Sequence, residues 1–210
     1  MPTPTPTIPQ APLGIDYTDL YRRWEKGHWQ ATGIDFTQDR VDWRERMTAE
    51  QRRTAMWFFA LFFHGEDSVT DDLSPYIGAA PTEEQTYFLT TQQVDEARHS
   101  VFFQRFFHEV VGLGDGSSGS GLTATKHQLT WGHRKVFKQL QSVAHRLESD
   151  HSPAMFAEAL TMYHVIGRAR SPNPASTCSN PGCRSSTSCQ AFGKGSRECQ
   201  LTSSATSRSA

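Results

Sequence analysis

Cysteine is missing from most of this 210-residue chain: Cys178, Cys183, Cys189 and Cys199 all fall near its C-terminal end. That excludes a disulfide framework or a thiolate metal site for the remainder and fits a reducing compartment. The four also lack paired Cys-x-x-Cys knuckles, which argues against a structural zinc module. An excess of one charge is absent too, with 21 Lys and Arg against 22 Asp and Glu. Nothing electrostatic therefore points to nucleic acid or an anionic membrane. No apolar run approaches the length of a bilayer span. The longest, Met56 to Phe63, is followed at once by His64 and Glu66 and belongs in a core. Met1 to Pro12 alternates Pro and Thr, with no basic segment followed by an apolar one, so no secretory signal is read and a cytoplasmic location is expected.

Also lacking is the period-two alternation of half-buried strands, which predicts an all-α protein with one domain. Residues 1–16 read as a disordered lead-in and 17–166 as helices with short connections. Thr48-Ala49-Glu50-Gln51 has capping-box spacing and opens a long helix bearing Glu66 and Val69. Thr82-Glu83-Glu84-Gln85 repeats the signal and opens a second helix, through Glu96 and His99, ending at Gly112. Gly112 to Gly121 reads as a flexible loop, Thr123 to Glu148 as one polar helix, and Ser152-Pro153 as the cap of a further helix bearing Met162 and Tyr163. After Ile166, Ser, Thr, Arg, Pro, Gly and Cys dominate and apolar periodicity vanishes, so 167–210 reads as a tail with no core of its own.

The chemistry-bearing residues are few. Glu96-Ala97-Arg98-His99 sets a carboxylate and an imidazole on one helix face, as in half of a carboxylate-bridged dimetal site. Oxygen and nitrogen donors of this kind suit iron or manganese. The same spacing also fits a salt-bridged pair on a solvated face. Glu66, just past an apolar run, is the candidate lone glutamate from a second helix, since a charge there must be paired or ligated.

Three stretches carry a resemblance: Gly65 to Asp72; Gln92 to His99 with Val101-Phe102-Phe103; and Ile34-Asp35-Phe36-Thr37 with Asp39-Arg40 and Asp42-Trp43. Together they resemble the ligand-binding oxidases of the ribonucleotide reductase small-subunit superfamily, over roughly Trp24 to Ile166. The resemblance implies a ferritin-like helical bundle, a Mn/Fe centre (di-iron as the alternative), dioxygen as co-substrate, oxidation of a C–H bond, a fatty-acid-like ligand and a homodimer. It assigns Glu66, Glu96 and His99 as metal ligands, and Val69 with Tyr163 as an ether cross-linked pair. By composition alone those last two are equally ordinary core residues. The reductase subunit itself is the competing member. Its usual tyrosine position holds Phe103 here, and its usual first aspartate is Glu66, so both departures favour the oxidase. An iron-storage protein or a non-catalytic helical fragment is the reading from another class.

The pattern breaks at Arg168, where the family has a glutamate, and no second Glu-x-x-His follows. Codons permitted for Gly167 to Asn180, read one base back, give EGALAQPGQHMLE, with a glutamate at that position. Those permitted for Thr202 to Ala210, after a Leu201 codon ending in G and followed by TGA, give DEQRHIAFGV in the same frame, which holds the missing Glu-x-x-His. The expectation is an out-of-frame tail from near Ile166, a site short of half its ligands, and a chain inactive as it stands.

Overall fold

The computed structural model describes residues 16–167 of the chain. The expected lead-in, up to residue 15, and the expected tail, from residue 168, lie outside the described residues. Within them the structure is helical throughout, with no strand.

Helix α1 (Tyr17–Lys26) begins where the Asp16 carboxylate accepts from the Thr18 N–H at 2.9 Å, satisfying one of the orphan donors of the first turn. A 3-10 turn (Ala31–Gly33) and the short α2 (Thr37–Val41), which widens into a π turn (Asp42–Arg46), lead to α3 (Ala49–Asp72). The capping box there is complete. Thr48 Oγ1 accepts from the Gln51 N–H and Gln51 Oε1 accepts from the Thr48 N–H, at 3.2 and 2.8 Å. After α4 (Ser74–Gly78), α5 (Glu83–Phe106) runs into a second π turn (Phe107–Val111). At the head of α5 only half of the expected box forms. Thr82 caps Gln85, but the Gln85 amide donates to the Tyr17 hydroxyl on α1 instead of returning to Thr82.

The second long helix stops at Gly112 as read from the sequence, with φ +81°, a left-handed conformation that costs glycine nothing. The loop expected over Gly112 to Gly121 is shorter than that. Helix α6 (Ser118–Thr125) starts inside it because Ser117 caps the Ser120 N–H and Asp115 Oδ1 gathers the Ser117 and Ser120 hydroxyls. The single helix expected over Thr123 to Glu148 is likewise two elements. α6 tightens into a 3-10 turn at Lys126–Gln128, and α7 (Trp131–Ser149) restarts with Thr130 as its cap. Ser152 and Pro153 open α8 (Pro153–Thr161) as expected, and a third π turn (Met162–Gly167) follows it.

α3 lies along α5, α1 and the Ala31–Gly33 turn cover another side of α5, and α7 packs on α3, α4 and α8. Two apolar clusters result. One is largely aromatic and joins Phe36, Trp43, Phe63, Phe102, Phe103, Phe106 and Phe107. The other joins Leu73, Tyr76, Leu89, Val143, Leu147, Phe156 and Tyr163, with Val69 packed against it. On α3 the polar residue Glu66 falls between Phe63 of the first and Val69 of the second. On α5, Glu96 and His99 fall between Leu89 and Phe102 in the same way. α7 comes close to α3 at Gly65, where a Cβ would stand 3.0 Å from Phe137 Cζ. Glu66 is therefore set beside a tight helix–helix crossing.

Candidate metal centre

Burial of Glu96 and His99 follows from the register of α5. Phe88, Leu89, Phe102, Phe103 and Phe106 recur at helical spacing on its inner side, and residues 96 and 99 fall on that same side. α3 brings Glu66 to meet them. His99 Nδ1 lies 3.1 Å from Glu96 Oε2 and 3.3 Å from Glu66 Oε2. One ligand atom from each of the three residues lies within 4.8 Å of the other two. The side chains of Glu66, Glu96 and His99 are 20, 5 and 11% exposed.

Two carboxylates and one imidazole in so dry a place are an electrostatic problem. Burial and the neighbouring Glu96 push the Glu66 carboxyl well above the usual carboxylate range, against the opposing pull of His99. A divalent cation would remove that conflict, since it replaces proton sharing with direct ligation. The donor set is three hard or borderline atoms without sulfur, as iron and manganese prefer.

Tyr163 joins the same cluster from the π turn after α8. Its hydroxyl donates to Glu96 Oε1 at 2.8 Å, and its ring lies 6.0 Å from that of Tyr76. Val69 borders the apolar cluster that contains Tyr163, one turn along α3 from Glu66. Every site residue expected from the sequence is thus found in or beside one cluster.

Other neighbours were not foreseen. Trp29 stacks on the His99 ring, with centroids 5.7 Å apart and planes at 24°. Asp95 is 6% exposed, accepts from the Trp24 indole N–H at 3.0 Å and pairs with Arg98 at 2.8 Å. Its burial raises its carboxyl above the usual range, while Trp24, His99 and Arg98 hold it down. Asp95 was legible in principle, because it lies one helical turn from His99 on the same helix. Trp29 was not, because it meets His99 from 70 residues away by way of the α1–α2 connection.

Residues 15–118 match the family model described as ribonucleotide reductase, small chain. The chain carries a ribonucleotide reductase small-chain domain. Its overall structure is similar to that of an R2-like ligand-binding oxidase with aerobically reconstituted Mn/Fe cofactor, at 24% identity and TM-score 0.73, over 90% of this chain and 66% of that one. The R2-like ligand-binding oxidase from Sulfolobus acidocaldarius is similar at 24% identity and TM-score 0.72, over 90% of this chain and 70% of that one. A single-residue variant of such an oxidase, reconstituted anaerobically with Mn/Fe, reaches 25% identity and TM-score 0.73, over 90% and 70%. The small-chain domain has the ferritin-like helical fold expected from the sequence. Among the described residues no helix is long and apolar enough to cross a membrane.

Proposed function

We propose that this chain follows the plan of a dimetal-carboxylate ligand-binding oxidase, with Glu66, Glu96 and His99 as the ligands of one ion of a Mn/Fe pair. The observation that carries the proposal is the convergence of a partly buried carboxylate, a buried one and a buried imidazole, from two helices about 30 residues apart in sequence, within 4.8 Å. A di-iron pair is the alternative. When bound, such a pair supplies the activation of dioxygen for a two-electron oxidation of a C–H bond.

The residues of this chain supply the setting. Glu66 and Glu96 bring negative charge that neutralises a divalent ion, and His99 offers Nδ1 toward both carboxylates. Tyr163 holds a proton at its hydroxyl 2.8 Å from Glu96 Oε1, so that carboxylate is the acceptor when the phenol gives the proton up. An ether bond between the Val69 side chain and the Tyr163 oxygen would remove one hydrogen from each, a two-electron oxidation for which dioxygen is the oxidant. Phe63, Phe102 and Phe103 are buried on one side of the cluster and keep water from it. Phe103 is 4% exposed and carries no hydroxyl, so the radical-storing role of the reductase subunit has no tyrosine there. A fatty-acid-like ligand, a homodimer and a cytoplasmic location complete the reading.

This ligand set is half of a dinuclear one. We place the missing glutamate and Glu-x-x-His in the neighbouring reading frame after Ile166, so the chain as it stands is inactive. The test is elemental analysis of the purified chain beside a version with the frame restored and its Glu96→Ala variant. Two metals per restored chain, fewer in the given chain and none in the variant would support the reading. A normal two-metal content in Glu96→Ala would remove Glu96 from the ligand set, and no metal in any of them would return the cluster to an ion-paired core.

A further inference from the structure

The connection from α1 to α2 is laced to α5 at two points. On one side of Trp29, Arg98 Nη2 donates to His28 Nδ1 at 2.8 Å. On the other, Arg105 donates from Nη1 to the Ala31 carbonyl at 2.5 Å and from Nη2 to the Ile34 carbonyl at 3.0 Å, while Glu109 holds its guanidinium from behind. Arg98 and Arg105 flank His99 on α5. The loop between the two anchor points has little freedom, and the residue it sets down over the imidazole is Trp29, planes 24° apart.

We propose that Trp29 is a positioning residue for His99, its indole face fixing the plane of the imidazole so that Nδ1 is presented to the ion shared with Glu66 and Glu96. The inference rests on the metal-centre reading given above. The physical basis is that an imidazole ring turns readily about its Cβ–Cγ bond. A flat aromatic wall disfavours the intermediate orientations, in which the ring edge would be driven toward the indole. Nδ1 already faces both carboxylates at 3.1 and 3.3 Å, so the restraint preserves a productive orientation before any ion arrives. Neighbours that orient a ligand in this way commonly contribute about 10- to 100-fold to metal affinity.

The test is manganese(II) binding to the full chain, with free ion counted by electron paramagnetic resonance, for wild type, Trp29→Ala, Trp29→Leu and Trp29→Phe. Far-ultraviolet circular dichroism checks that each variant is folded. Leucine keeps apolar bulk without a flat face, whereas phenylalanine keeps the face. The expected result is a dissociation constant raised about 10-fold or more in Ala and Leu and restored to within about threefold of wild type in Phe. Equal affinity in wild type and Trp29→Ala, or rescue by Leu as complete as by Phe, would overturn the positioning role while leaving the metal centre standing. No binding either to the wild type or to its frame-restored version would overturn the metal centre and the positioning role with it.

Discussion

Asp39 is a buried acid whose ionisation the fold opposes, and replacing it with asparagine should change how stability depends on pH. It is 2% exposed, on α2, and its Oδ2 has no hydrogen-bond partner among the described residues. Burial lifts its carboxyl to about 6; its own backbone N–H opposes the shift, while Asp42 and Asp35 add to it. Between the pKa of a free aspartate, about 4, and this raised value, the native state holds a proton that the unfolded chain has released. Native protons in excess mean that stability falls as pH rises through that window and is level above it. A gap of about two units at about 1.4 kcal/mol each amounts to roughly 3 kcal/mol, an upper figure since any relaxation of α2 reduces it. Asparagine has nearly the same shape and does not titrate. The assay is urea unfolding of wild type and Asp39→Asn at a series of pH values with chelator present, plotting the difference between the two proteins so that other titrating groups cancel. The variant should gain on wild type from about pH 4 to about pH 6 and hold that gain at higher pH. A difference that is flat, or that favours wild type more as pH rises, would refute the reasoning.

His64 should show the opposite slope. Burial and the nearby His133 lower its pKa to about 4, and its Nε2 meets Thr125 Oγ1 at 3.1 Å. The unfolded chain therefore binds the extra proton between about pH 4 and 6.5, so stability rises with pH there, and His64→Gln should remove that rise from the same difference plot. Leu147 is fully buried between α7 and its neighbours, and Leu147→Ala should cost about 2–5 kcal/mol in urea unfolding. Thr48→Ala removes the bond from the Gln51 N–H to Thr48 Oγ1, leaving residue 48 its own N–H for Gln51 Oε1, and should cost about 1 kcal/mol, measured the same way. Thr82→Ala removes the equivalent bond from the Gln85 N–H at the head of α5 and should cost about the same, with the Gln85 amide still held by Tyr17.

The amino-acid order by itself determined the all-α class, the starts of α3, α5 and α8, the stop at Gly112, and which three side chains are the candidate metal donors. These are local matters: a capping side chain bonds within a few residues of itself, and helical spacing alone decides that Glu96 and His99 share a face. What the sequence order could not decide was competition between partners. Gln85 would complete its box if Tyr17 did not lie within reach, and residues 118–125 would stay a glycine-rich loop without the Ser117 and Asp115 hydrogen bonds that turn them into α6. The approach of Glu66 to His99 depends on α3 lying along α5, and the placement of Trp29 depends on two arginines of α5 reaching carbonyl and imidazole acceptors on a distant connection. Contacts of that kind join residues about 30 to 70 positions apart. Their energies exist only once the chain has packed, which is why tertiary structure alone decided how His99 is held.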